Sequence, residues 1–234
     1  MAQSQLFLNK NKIRNMDQRT AQLHLETSKL MGINFLPIGN GCSEQDEPDD
    51  QTLEKLREDH DKNCPHCTTA TGHSQTVFGV GNPNASLMFV GEAPGAEEDI
   101  QGIPFVGAAG RKLNEIIEAM GFKRDDVYIA NVLKSRPPEN RTPLPTEIDH
   151  CGPFLQKQIA IVQPKVIVSL GSPATKYLFQ TTVGITKLRG SWGNFQGIPV
   201  MPTYHPAYLL RNYTKQTRQE VWSDMQKVKS ELSQ

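Results

Sequence analysis

SLMFVGEAPGAEEDIQGIPFVGAAGRKL, residues 86–113, decides the architecture of the chain. It opens with a short apolar run, Ser86 to Val90, that stops at a glycine-containing turn, Gly91-Glu92-Ala93-Pro94-Gly95, and a helical pattern spans Arg111 to Met120. Strand, tight turn and helix in that order form half of a β-α-β unit. The pattern recurs downstream. Further strands are expected at Val127 to Leu133, Val166 to Leu170 and Ile198 to Met201, and further helices at Pro145 to Val162, Ser172 to Leu178 and about Gln216 to Leu232. Strands this apolar and β-branched belong in a parallel sheet covered on both faces. The expected fold is therefore α/β, a three-layer α/β/α arrangement around a central, mainly parallel, four-stranded sheet. Ligands of such sheets bind beyond the carboxyl ends of the strands. Glu92, Asn131 and Tyr204-His205-Pro206 fall at strand ends in this reading, so three distant stretches converge on one rim.

Working outward, residues 1–50 read as an N-terminal extension and 51–234 as the domain. The extension offers an amphipathic helix around Arg14 to Met31 and then a polar, acidic linker, GNGCSEQDEPDDQ, of the composition that does not pack a core. A length of 234 residues suits one such domain plus a tail. No apolar run approaches the roughly 20 residues of a membrane span, and the first residues lack a secretory pattern. A cytoplasmic monomer with no membrane contact is expected. Basic and acidic residues balance at 25 each, yet residues 121–234 carry 15 Lys/Arg against 8 Asp/Glu, while residues 41–60 carry 2 against 8. The second half can follow phosphates and the leader cannot.

The loop after the first strand brings backbone N–H groups close to a ligand, because glycine allows a tight approach. Its carboxylates Glu92, Glu97, Glu98 and Asp99 would repel a phosphate, and no G-K-[ST] signature is present, so a nucleotide-cradling loop is a poor reading. A carboxylate at this rim suits the handling of a water molecule or the support of a cationic transition state.

GEAPGAEEDIQGIPFVGAAG, NVLKSRPPENRTPLPTEIDHC, VIVSLGSPA, LRGSW and PTYHPAYLLRN, in that order, closely resemble the family 4 uracil-DNA glycosylases over roughly residues 52–234. The resemblance implies the uracil-DNA glycosylase fold and a DNA repair enzyme that flips uracil out of DNA and hydrolyses its N-glycosidic bond, leaving an abasic site for base excision repair. It implies Glu92 and Glu98 as the carboxylates that handle water or stabilise an oxocarbenium-like transition state, and His205 as the donor to charge developing on uracil O2. Phe105 would stack on the base. Asn131 would read it, since its amide donates to O4 and accepts from N3–H where cytosine presents the reverse. Gly91, Ala93, Pro94, Gly95 and Asn140 complete the implied substrate pocket. Tyr208, Leu209, Leu210 and Arg211, in a loop from His205 to Asn212, resemble a minor-groove wedge, and Arg136, Arg141, Lys187 and Arg189 are further candidates for phosphate contact.

Family 4 enzymes carry a [4Fe-4S] cluster on four cysteines. Cys64 and Cys67, a C-x-x-C pair, and Cys151 match three of these positions; where the family has Lys-Cys-Arg-Pro-Pro, this chain has Lys134-Ser135-Arg136-Pro137-Pro138. Four outcomes stand open: a cluster with Ser135 as fourth ligand, a cluster completed by Cys42 of the leader, a cluster with an open iron or a zinc ion aided by His66, and an empty site whose cysteines pack as small hydrophobes. Rival functions from other classes are a uracil-DNA-binding protein that does not turn over and an inactive polymerase-associated domain. The intact Glu92, Asn131 and His205, and the lack of an insertion between Phe105 and Arg111, count against both. The acidic leader is a candidate docking segment for a replication or repair protein.

Overall fold

The computed structural model describes residues 52–233. The expected helix at Arg14 to Met31, the acidic linker and Cys42 lie outside these residues. In chain order the elements are helix α1 (Leu53–Asn63), strand β1 (Val80–Gly81), β2 (Leu87–Gly91), α2 (Ala96–Gln101), α3 (Ala108–Ala119), β3 (Tyr128–Asn131), α4 (Pro145–Val162), β4 (Val166–Leu170), α5 (Ser172–Phe179), α6 (Ile185–Leu188), β5 (Gly193–Phe195), β6 (Ile198–Thr203), α7 (Pro206–Arg211) and α8 (Lys215–Leu232). Single 3-10 turns at Arg124–Asp126 and Pro138–Asn140 flank β3.

The sheet has six strands in the order β1-β3-β2-β4-β6-β5. β3, β2, β4 and β6 run parallel, and they are the four strands expected from the sequence. The two additional strands, β1 and β5, are short antiparallel edges; at two and three residues they hold too little apolar pattern to stand out in a sequence. Every residue of β2, β3 and β4 is buried. Alternate side chains enter two separate cores, because successive residues of a strand point to opposite faces. Met88, Val90, Ala130, Ile167 and Val200 pack with Leu56 of α1, Phe154, Leu155 and Ile159 of α4, and Leu178 of α5. Leu87, Phe89, Ile129, Val168 and Met201 pack with Leu113 and Ile117 of α3, Leu209 of α7, and Val221, Met225 and Val228 of α8. Three layers follow directly from this alternation.

From β2 the chain moves to β3 on one side and then to β4 on the other. This reversal opens a crevice at the carboxyl ends of the central strands. α4 is delimited as its sequence demands: Pro145 occupies the first turn, Glu147 accepts the Leu144 N–H at 2.7 Å, and Gln163 closes the helix in the left-handed region. One expected loop is a helix. Residues 206–211 form α7 because Pro206 presets the helical φ at its first position and His205 caps it, its Nδ1 accepting the Ala207 N–H at 3.1 Å. No helix among the described residues is long and apolar enough to cross a membrane.

Candidate active site

A cleft of about 520 Å³ opens at the strand ends, lined by Glu92, Ala93, Pro94, Gly95 and Glu98 of the first loop, Phe105, Asn131, Asn140, Arg141, His205 and Arg211. Gly91 lies beneath it and not in its wall. A Cβ on Gly91 would stand 2.3 Å from Asn131 Oδ1 and 2.5 Å from Phe105 Cζ, so only glycine lets these two side chains meet over β2.

Phe105 is held in an uncommon state for an aromatic residue, with φ of 54°. Two features fix it. Glu98 Oε1 accepts the N–H groups of Val106 and Gly107, both at 2.9 Å, and its Oε2 accepts that of Gly95 at 3.1 Å. Gly110 supplies the space on the other side, where a Cβ would come within 1.9 Å of the Phe105 carbonyl oxygen. Glu98 is thus occupied with the loop. Glu92 makes no side-chain hydrogen bond or ion pair among the described residues, and burial pushes its carboxyl above the usual range.

Asn131 ends β3 and is buried, yet its Oδ1 has no hydrogen-bond partner. A buried amide oxygen left unpaired is costly, and the exceptions in native proteins call for an explanation. Beneath it Lys134, wholly buried, donates from Nζ to the Asn131 carbonyl at 2.7 Å and to Gln158 Oε1 at 2.5 Å, which fixes the strand end. Burial brings the Lys134 ammonium down to about 7. Across the cleft, the His205 ring lies 5.7 Å from that of Phe105. Burial, with the charge of Arg211 adding to it and Glu98 opposing, lowers the His205 imidazolium to about 4. The ring is neutral at pH 7. Its Nδ1 is the acceptor for Ala207, so the hydrogen is on Nε2.

The candidate DNA contacts divide. Arg211 reaches the cleft, Leu210 is exposed, Tyr208 is half-buried against Tyr204 with ring centroids 4.7 Å apart, and Leu209 is core. Arg136 donates to Asn140 Oδ1 at 2.7 Å, and Arg141 forms a forked pair with Glu147 at 2.6 and 2.9 Å while still lining the cleft. Lys187 is exposed on α6, away from the cleft wall. Arg189 turns inward to Asp224 and the Glu220 carbonyl.

A second cluster lies under α1. Cys151 Sγ is 3.6 Å from Cys64 Sγ and 3.2 Å from Cys67 Sγ. All three thiols are buried and free. With one ring nitrogen of His60 they form a set whose donor atoms all lie within 4.8 Å of one another, compatible with a metal or iron–sulfur centre. Ser135 is buried beside this set, 3.4 Å from Cys67 Sγ and 3.1 Å from His66 Nε2.

The chain matches the Uracil DNA glycosylase superfamily over residues 78–226. It belongs to that superfamily. It is 47% identical over 173 residues to the type-4 uracil-DNA glycosylase of Thermotoga maritima, covering 72% of this chain and 89% of that protein. The type-4 uracil-DNA glycosylase of Archaeoglobus fulgidus is 43% identical over 177 residues, 70% of this chain and 86% of that protein. That of Sulfurisphaera tokodaii is 44% identical over 187 residues, 76% and 84%. In this superfamily member, two residues of the sites escaped the motif reading. Lys134 stands inside a quoted motif, but nothing in its identity marks it as a buried support of the cleft. His60 stands four residues before Cys64, a spacing that places both on one side of a helix and was the available signal.

Proposed function

We propose that the protein recognises uracil flipped out of DNA in this cleft and hydrolyses the bond between its N1 and the deoxyribose C1′, leaving an abasic site. The observation that carries this reading is the unpaired Oδ1 of Asn131 in the cleft beside Phe105 and the Nε2–H of His205. Uracil completes that set. Its ring stacks on Phe105, its N3–H satisfies the Asn131 oxygen, and the Asn131 amide group donates to O4. Cytosine has an unprotonated N3 and an amino group at that edge, so it would leave Oδ1 unpaired and bring two donors together.

As the C1′–N1 bond breaks, its electron pair goes to N1 and negative charge spreads to O2. His205, already neutral and with Nε2–H outward, donates to O2 without first losing a proton; one preorganised donor of this kind is worth about 3–4 kcal/mol. Glu92 lies on the cleft wall, where its carboxylate supports the positive sugar and takes a proton from the water that bonds to C1′. Arg211 and Leu210 hold and fill the DNA beside the extruded base.

The thiolates are suited by their donor chemistry to the [4Fe-4S] group that the resemblance attaches to such enzymes, with Cys64, Cys67 and Cys151 as three of its ligands. When bound, it supplies a structural tie between the end of α1 and α4.

The test is incubation with end-labelled oligonucleotides, single-stranded and U:G duplex, each with one uracil. Breakage at the uracil only after alkali is the expected result. Breakage without alkali would add a lyase step, and uncleaved but bound or crosslinked uracil DNA would make the protein a binding module.

A further inference from the structure

We infer that His60, and not Ser135, is the fourth protein ligand of the thiolate centre, giving a Cys64, Cys67, Cys151 and His60 set. The inference rests on the reading that these thiolates hold a metal group.

His60 sits in the last turn of α1, and Cys64 directly follows that helix; the Cys64 N–H bonds the His60 carbonyl at 2.9 Å, so one helical turn stacks the two side chains. The imidazole is fully buried, against Phe154 at 4.9 Å in an edge-on contact and Phe78 at 5.7 Å. Its Nδ1 lies 2.9 Å from Asp61 Oδ1 and so carries the hydrogen, donating to that carboxylate. In the neutral ring Nε2 then presents a lone pair, and it has no hydrogen-bond partner. Metal-bound histidines are arranged in this way, with the other ring nitrogen donating to a carboxylate that fixes tautomer and orientation. Asp61 is itself held by the Thr76 hydroxyl at 2.8 Å.

Ser135 has the opposite surroundings. Its hydroxyl is engaged by His66 Nε2 at 3.1 Å and by the Cys67 thiol at 3.4 Å. An alcohol must lose a far less acidic proton than a thiol before it binds, whereas neutral imidazole binds as it stands. The same contact engages His66 Nε2, and His66 is not among the groups whose donor atoms converge here. Serine at position 135 and histidine at position 60 thus belong to one exchange: the ligand missing after β3 is supplied from α1. His60 can serve a four-iron cluster or a single zinc ion, since both accept three thiolates and an imidazole.

Full-length wild type, His60→Ala, His60→Cys and Ser135→Ala, purified anaerobically, are analysed for iron, acid-labile sulfide and zinc, and their metal loss to a chelator is timed. Circular dichroism is recorded alongside. Wild type and Ser135→Ala are expected to hold the same group and to lose it at the same rate. His60→Ala should lose it at least about tenfold faster or be isolated without it, and His60→Cys should restore retention. About four iron and four sulfide per chain mark a cluster, and one zinc without sulfide marks a single ion; His60 dependence bears out the inference in either case. Cobalt substitution adds a direct readout, because His60→Cys replaces a nitrogen donor by sulfur and should strengthen the sulfur-to-cobalt bands. Should His60→Ala not fold, retention in His60→Cys decides the matter. Metal held by His60→Ala and lost by Ser135→Ala would overturn the inference. Wild type without any metal would overturn the thiolate-centre reading itself, and uracil excision would still report separately on the cleft.

Discussion

At the scale of single residues, the cleft is a set of groups whose states are imposed by their neighbours. His205 is neutral because desolvation in the cleft and the charge of Arg211 disfavour its imidazolium, and its tautomer is set by one backbone N–H. His205→Ala is therefore expected to lower kcat on uracil DNA about 10²–10³-fold with little change in KM, measured by single-turnover excision. The pH profile follows from the same states. On acidification excision should fall toward about pH 4, where His205 takes up a proton, with the raised carboxyl of Glu92 adding to the loss, and it should show no loss as pH rises past about 6.5 of the kind a catalytic imidazolium would give. A decline as pH rises through 6–7 would mean that His205 works as the imidazolium. Asn131→Asp should cut discrimination between uracil and cytosine, read by competing the two in matched oligonucleotides; unchanged selectivity would discredit the pocket assignment.

At the scale of elements, the segment between β2 and α3 is the part whose shape is most constrained. Glu98 satisfies three backbone N–H groups of one loop, and Gly110 admits the carbonyl of a residue with positive φ. Glu98→Ala should cost roughly 1–3 kcal/mol in urea denaturation, since buried donors lose their acceptor. Glu98→Gln, which retains an acceptor oxygen, should recover part of both stability and activity. If Glu98 handled the water instead, the glutamine variant would be as inactive as the alanine one. Gly110→Ala should lower both Tm and kcat by displacing Phe105, and normal kinetics in a destabilised protein would show that the stacking position tolerates the shift.

At the scale of the whole molecule, stability is tied to the same histidine. Its pKa is about 4 in the folded protein and near 6.5 in an unfolded chain, so on acidification the unfolded state takes up the proton first. The contribution is fully present above pH 6.5 and is lost progressively down to pH 4. Tm should accordingly fall more steeply over that window in the wild type than in His205→Gln; equal slopes would mean that the ring is not desolvated. The sequence by itself determined the parallel core of the sheet, because strands buried on both faces must be apolar throughout, and α4 could be read to the residue from Pro145 at its start. The motifs likewise gave Glu92, Phe105, Asn131 and His205, which carry their chemistry in their identity and line one cleft, three of them at strand ends and Phe105 in the loop before α3. Edge strands, the helical form of residues 206–211 and the inward turn of Arg189 toward Asp224 were decided only by tertiary structure. So were the occupation of Glu98 by its own loop and the unpaired Nε2 of His60. Each depends on which groups meet across long stretches of chain, and a side chain's partner, unlike its chemistry, is fixed only once the chain has folded.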